Sequence, residues 1–526
     1  MKGSISMSDN IKLEAVGEPA AGYNDLKYYF SNLNTLFSIR NTLAMDMMTS
    51  MPAGGLQRRL NDMTALTKRI YAETTTSAVT GLLEKVQRAA DKESDGWSEW
   101  DLANLHEMQR IHAHLSALPP DLYSASVMLA NEGRKRHAQA LKTKEWKDIV
   151  PTLQQTVDLY KKIAELKQKK FGTNSAYEAL LIGYASDINE AQINELYDAL
   201  LPPLKELHAK ALKKQEQQTP PSELEGSFSR GDQMWLNQTV LQMMGFDLNR
   251  GTLSVSNLAP MAGGTPDDVR VLVRCSDQTS FLDSLEDTLY QGAKGLYTQN
   301  LPQNWKTQPV GQDLGSMMSI AVSTLYETII GRTPQFFDFI AVRAEGVFRS
   351  FRNASFETEN LYRLRKIIRT TPLRNEADEL SKIFHDILRF RIERDLINGT
   401  LAVKDLPERW RAESIELLGV EPKTLAEGPL QNPDWFTGRF GFIATNTVSH
   451  IIAAELHERL YQDIDDLPGV ITRGEFGQIK HSLDRMIFSK GRSVDAMKLM
   501  REITGQSLSV RPLLSHLERR YLSDKR

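Results

Sequence analysis

A chain of 526 residues, 41% hydrophobic and 25% charged, has the composition of a globular protein with a large core. Its formal net charge of -3 lacks the excess of Lys and Arg that generic nucleic-acid binding requires, and no apolar run approaches the ~18–20 residues that span a bilayer. A single cysteine, Cys275, excludes an internal disulfide and fits a reducing cytoplasm.

The N-terminal stretch MKGSISMSDNIKLEAVGEPAAG is polar, with no apolar signal core and no small-residue cleavage site. Residues 1–22 are expected to form a flexible tail, and 23–526 one helical domain. From Tyr23 the hydrophobic period is helical. It places Leu26, Tyr29, Leu33, Leu36, Phe37 and Ile39 near one broad face. Further helices are predicted in WSEWDLANLHEMQRIHAHLSAL and WKDIVPTLQQTVDLYKKIAELKQKKFG, with Pro119-Pro120 and Gly172 as stops. The segment from Asp187 to Gln218 reads as a helical hairpin or kinked helix broken at Pro202-Pro203, and its charged tail from Lys210 as a solvated face. TPPSELEGSFSRGDQ is a loop. Only TLSVS and DVRVLVR look like strands, short enough to pair as a small hairpin or ribbon. Cys275, at the end of the second run, reads as a structural thiol. The chain beyond residue 281 is helical. The predicted fold is mainly α, with a very small β ribbon.

The helix predicted in FLDSLEDTLYQGAKGLYTQNLP carries Leu282, Leu285, Leu289 and Leu296 on one stripe. Beside them lie Tyr290, Gln291 and Lys294. Residues 290 and 294 are one turn apart on the same face, the spacing of H-E-x-x-H, in which two His bind zinc and the Glu is the base. None of the three is a ligand or a base of that kind. The ten histidines offer no replacement cluster: His112 and His114 point to different sides of a helix, and His450 and His457 are two turns apart. There is no glycine-rich phosphate loop and no G-x-S-x-G elbow.

From about Tyr23 to the C-terminus the chain resembles the thermostable carboxypeptidase (carboxypeptidase Taq) family of zinc metallopeptidases. MDMMTSMPAGG at Met45–Gly55 is similar to the family's W-D-x-x-T-x-M-P-x-G-G, with Met45 for the Trp. The H-P-F segment falls on Leu258-Ala259-Pro260 and is lost. DVRVLVR resembles the D-x-R-x-T strand, with Asp268 and Arg270 kept and Leu272 for the Thr. STLYETIIGR resembles the run after the H-E-S motif, which puts Ser319 at its His and Ile320 at the third zinc ligand. Arg374, Ala377 and Asp378 preserve I-R-x-x-A-D. GPLQNPDWFTGRFGF resembles G-x-x-Q-D-x-H-W: Gly428, Gln431 and Trp435 are kept, Asn432 and Asp434 are not, and Asn446 falls on a family Tyr.

The resemblance implies a large helical metallopeptidase-like fold with a central cleft, and a homodimer. It places the metal ligands at Tyr290, Lys294 and Ile320 and the base at Gln291. A catalytic zinc needs three deprotonated ligands. A neutral phenol is a poor one, an ammonium has no lone pair, and isoleucine has no donor. The expectation is therefore an inactive homologue without metal or other cofactor. It would bind a peptide or protein tail in the cleft, or assemble with a partner. The alternatives are an enzyme with altered or metal-free chemistry in the same cleft, or a purely structural partner of an active relative. Candidate ligand-binding residues are Arg270, Lys294, Arg374, Gln431, Asp434 and Trp435. For Arg270, Arg374 and Asp378 the competing role is to hold the cleft walls together. Lys294 is expected to pair with a carboxylate among Asp268, Asp378 and Asp434, the last being the first candidate.

Overall fold

The computed structural model describes residues 22–92, 96–143, 145–348 and 354–523; the expected tail, Gly22 apart, lies outside them. Where apolar residues recur every three or four positions the chain is helical, from Tyr23–Thr49 to Arg511–Leu522. The first of these helices buries Leu26 and Leu33 as predicted, whereas Ile39, off the stripe, is exposed. Its apolar side joins Val79, Leu83, Val86, Leu105 and Met108 in a small N-terminal core. A much larger core runs from Leu118 to Tyr521.

Two sequence expectations need correction. Glu190–Glu216 is one helix that continues through Pro202 and Pro203. Pro202 lies on the solvent side, where backbone carbonyls that lose their intrahelical partner can turn to water. The β structure is not a hairpin of two runs. It is a three-stranded sheet in the order β1 (Gly251–Val255), β3 (Asp268–Val273), β2 (Met261–Thr265). The two predicted strands, β1 and β3, pair parallel, with Gly251 opposite Val269, and β2 pairs antiparallel to β3, with Met261 opposite Leu272. The middle of β2 is Ala-Gly-Gly, which has no strand signature of its own and extends because β3 offers it a ladder.

Helix Phe281–Gln299 is the pivot. It packs on β2 and β3, on helix Arg230–Met243 and on helix Ser316–Thr324. Two glycines allow this approach: a Cβ at Gly292 would lie 2.6 Å from Leu241 Cδ1, and one at Gly295 would lie 2.9 Å from Val271 Cγ2. Ser316–Thr324 runs into a π-helical turn, Leu325–Ile330, and packs on helix Ala444–Asp463. That helix in turn contacts Glu379–Asn398. These four helices, with the short turn Arg374–Glu376 that leads into Glu379–Asn398, bring residues 290, 320, 374 and 446 to one cleft.

Candidate functional site

The cleft has a volume of about 970 Å3. Its floor is the face of Phe281–Gln299 that carries Tyr290, Gln291 and Lys294, together with Ser319 and Ile320 of the neighbouring helix. Tyr290, Gln291 and Lys294, which helical spacing sets on one face, and Ile320, which the resemblance adds, all line one cavity. Burial pushes the Tyr290 phenol up to about 12, and Glu327 adds to the effect, so the hydroxyl is neutral at pH 7. Lys294 is lowered from its ordinary value by burial, and Arg439 lowers it further against the opposing effect of Asp313. Among the described residues, the side chains of Tyr290, Gln291 and Lys294 make no hydrogen bond or ion pair with the protein. Among the same residues, no group of three or more His, Cys, Asp or Glu is placed to hold a metal ion.

The walls are different, because they are held by charge. Arg374 lines the cleft and grips Asp386 in a bidentate pair, Nε to Oδ1 at 2.5 Å and Nη2 to Oδ2 at 3.1 Å. Asp386 is fully buried. Burial would raise its carboxyl, but Arg374 and its neighbouring cations outweigh that and hold it below the usual range. Asp378 caps helix Glu379–Asn398: Oδ1 accepts from the amides of Leu380 (2.9 Å) and Ser381 (3.1 Å), and Oδ2 from that of Arg369 (2.9 Å). Its role is to hold the wall. The π-helical turn presents Glu327 to the cleft, where Arg332 bonds it and also meets Glu286 at 3.2 Å. His516 and Arg520 hold Glu379 at 2.8 and 3.1 Å.

The other predicted ligand-binding residues are not brought here. Arg270 lies on β3, half-exposed, and is engaged by Asp268 at 2.5 Å, so neither lines the cleft. Gln431 stitches loops together: Oε1 accepts from the Arg374 amide and from Arg389, and Nε2 donates to the carbonyls of Pro372 and Glu427. Trp435 is fully buried and donates to Glu393 Oε2 at 2.9 Å. Asp434 does not pair with Lys294; it faces Arg439, at 4.0 Å. The pairing expected for Lys294 fails because the available carboxylates are bound elsewhere. Leu258 of the lost H-P-F segment is exposed, while Pro260 reaches the cleft rim. Cys275 is a buried thiol after β3, as read.

A family model for the carboxypeptidase Taq (M32) metallopeptidases matches residues 25–521. The chain belongs to the M32 family. It is 26% identical over 527 residues to thermostable carboxypeptidase 1 of Thermus thermophilus, covering 96% of this chain and 99% of that protein. It is 24% identical to carboxypeptidase 1 of Bacillus subtilis, over 94% and 97% of the two chains. Metallocarboxypeptidase 1 of Trypanosoma cruzi superposes with a TM-score of 0.90 at 26% identity, covering 95% of this chain and 99% of that one. A Pyrococcus furiosus carboxypeptidase structure has the same fold, with a TM-score of 0.88 at 23% identity over 96% and 99% of the chains. The M32 fold, helical with a small sheet, is therefore the fold of this chain.

Among the cleft residues that sequence reasoning did not single out are Glu327, Arg332, Lys382 and Arg439, and His450 was read only as an ordinary histidine. Lys382 and Arg439 lie inside stretches that resemble the family. Only their polarity, on otherwise buried elements, marked them out.

Proposed function

We propose that this M32 chain has given up metal-dependent peptide hydrolysis and uses its cleft to bind a ligand, an extended peptide or protein tail being the class the groove inherits from its family. The observation that carries this reading is the donor set. The cleft positions that would hold the ion carry a phenol raised to about 12, an ammonium and a hydrocarbon. None is a deprotonated donor at neutral pH: the phenol oxygen keeps its proton and is a poor ligand, the ammonium has no lone pair and repels a dication, and the hydrocarbon has no donor atom. Gln291, at the position of the base, cannot take a proton. A zinc ion does not fit these residues. Nor do the described residues show a nucleophile–base pair in the cleft: Ser323 Oγ, beside the floor, donates to the Ser319 carbonyl one turn back.

Purified protein should carry no stoichiometric zinc, cobalt or manganese, and should not release C-terminal residues from peptides. Elemental analysis and a C-terminal hydrolysis assay test this on one preparation. Near-stoichiometric tightly held metal, or turnover abolished by Tyr290→Phe or Lys294→Met, would sink the reading.

A further inference from the structure

The charges of the cleft do not balance locally. Each carboxylate that lines it already has a partner. Asp283 and Glu286 are held by Arg365, Asp287 by Arg274, and Glu327 by Arg332. Glu379 is held by His516 and Arg520, Asp378 by backbone amides, and Glu376 by the Thr371 hydroxyl. The cations are not used up in the same way. Among the described residues, neither Lys294 nor Lys382 has a carboxylate within ion-pair distance. The Arg439 guanidinium stacks on Phe442 at 3.4 Å and only approaches Asp434.

Two further features converge near Lys294. Helix Ser316–Thr324 begins after Gly315, whose φ of 88° turns the chain but which has no side chain to cap the first amides. One turn on, Ser319 is 3% exposed and its hydroxyl has no hydrogen-bond partner among the described residues, although the residue lines both the main cleft and a side cavity of about 170 Å3. Lys294 lines the same two spaces. The carboxylate facing it across the side cavity, Asp313, accepts from the Gly315 amide at 3.0 Å and lies 3.9 Å from Arg492. A buried hydroxyl without a partner costs free energy, and Lys294, which lines the same two spaces, is further disfavoured as a cation by Arg439. A ligand oxyanion would relieve both.

We propose that Lys294, Ser319, Arg439 and the amides opening helix Ser316–Thr324 form a site for a dianionic, phosphate-type group at the position of the family's metal. Two cations set the charge, the hydroxyl supplies a donor, and the helix start supplies oriented amides. The cleft is far larger than one phosphate, so the group can belong to a larger ligand extending towards Lys382. The inference rests on the loss of the metal set proposed above.

The test uses the full chain in phosphate-free buffer at constant ionic strength. Thermal unfolding is followed while inorganic phosphate, phenyl phosphate or acetate is titrated. Phosphate or its ester is expected to raise the melting temperature saturably. Lys294→Met should weaken that binding by about tenfold, Ser319→Ala by less, and Lys294→Arg should retain it. Ser319→Ala removes only an unpartnered hydroxyl and should fold normally, so the test survives if Lys294→Met does not fold. Phenyl phosphate binding tighter than phosphate assigns the group to a larger ligand; equal binding assigns it to the free ion. No saturable effect from either phosphate overturns the proposal. So does equal affinity in the wild type and Ser319→Ala, or acetate acting as well as phosphate. Metal content and hydrolysis are measured on the same preparation: zinc or turnover overturns the functional reading, whereas an inactive, metal-free protein indifferent to phosphate overturns only this site.

Discussion

The floor of the cleft carries Tyr290, Gln291, Lys294 and Ile320, the positions to which the sequence resemblance assigns the family's two histidines and two glutamates. Arg374 and Asp378 on the cleft wall, and Gln431 and Trp435 behind it, are the residues that the resemblance matches to its motifs. Each wall residue is bonded to the protein: Arg374 to Asp386, Asp378 to three amides, Gln431 to four groups and Trp435 to Glu393. The floor side chains make no such bonds among the described residues. In a metalloenzyme their partner would be the ion. A side chain whose only partner is a metal can change once the metal is dispensable, whereas one that satisfies a buried charge cannot change without stranding it. Retained motif residues here are thus signs of fold as much as of function.

The comparison breaks most directly at Asp386. Removing one member of a buried ion pair leaves the other uncompensated, so Asp386→Ala should cost about 3–5 kcal/mol in urea unfolding. Gln291→Ala, on the floor, should stay within about 0.5 kcal/mol, as for a substitution that breaks no bond. Similar costs for the two would erase the distinction between wall and floor.

A smaller effect is expected from rebuilding the floor. Tyr290→His, Gln291→Glu, Lys294→His and Ile320→Glu together restore two histidines one turn apart and a carboxylate on the neighbouring helix, all facing one cavity. The quadruple variant should bind zinc, and zinc at about 100 times its Kd should stabilise it by about 2.7 kcal/mol. Hydrolysis should not return fully, because Leu258, Asn432 and Asp434 still depart from the family's other motifs. A folded variant whose melting temperature ignores zinc would show that the backbone of the floor has moved as well as its side chains.

How much of this was legible in the sequence follows the same division. The floor was readable because helical spacing alone puts residues 290 and 294 on one face, and the neighbouring run fixed 320. The wall was misread at Gln431 and Trp435. Motif membership placed them near the cleft, but the direction of each side chain is set by tertiary partners such as Glu393, 42 residues away. Arg270 was misjudged because its partner, Asp268, lies two residues along the same strand and draws it away from the cleft. β2 was invisible because glycines carry no alternation, and its ladder comes from β3. Pro202 and Pro203 misled because proline reports the loss of a donor, not whether water can replace it.

The smallest effect, and the sharpest for the floor, concerns Lys294. A salt bridge would make Lys294→Met costly. With no carboxylate within ion-pair distance among the described residues, the sign reverses. Burial, then Arg439, holds the folded-state pKa below the ordinary 10.5. Between the folded and unfolded values the unfolded chain carries the extra proton, so stability rises with pH across that window. Below the folded value the full cost of the buried ammonium remains. Lys294→Met removes that cost, in part only, since the amine reaches the water of the cleft. In phosphate-free buffer at pH 7 the variant should be as stable as the wild type or more stable by about 1 kcal/mol. The difference should shrink as the pH approaches 10.5, because the wild-type lysine is then neutral in the folded state. Urea unfolding at pH 7 and pH 10 measures both. A loss of stability at pH 7 would mean that Lys294 has a partner in solution, and added phosphate distinguishes the two kinds: a bound oxyanion makes the wild-type advantage grow with phosphate, and a protein carboxylate leaves it unchanged.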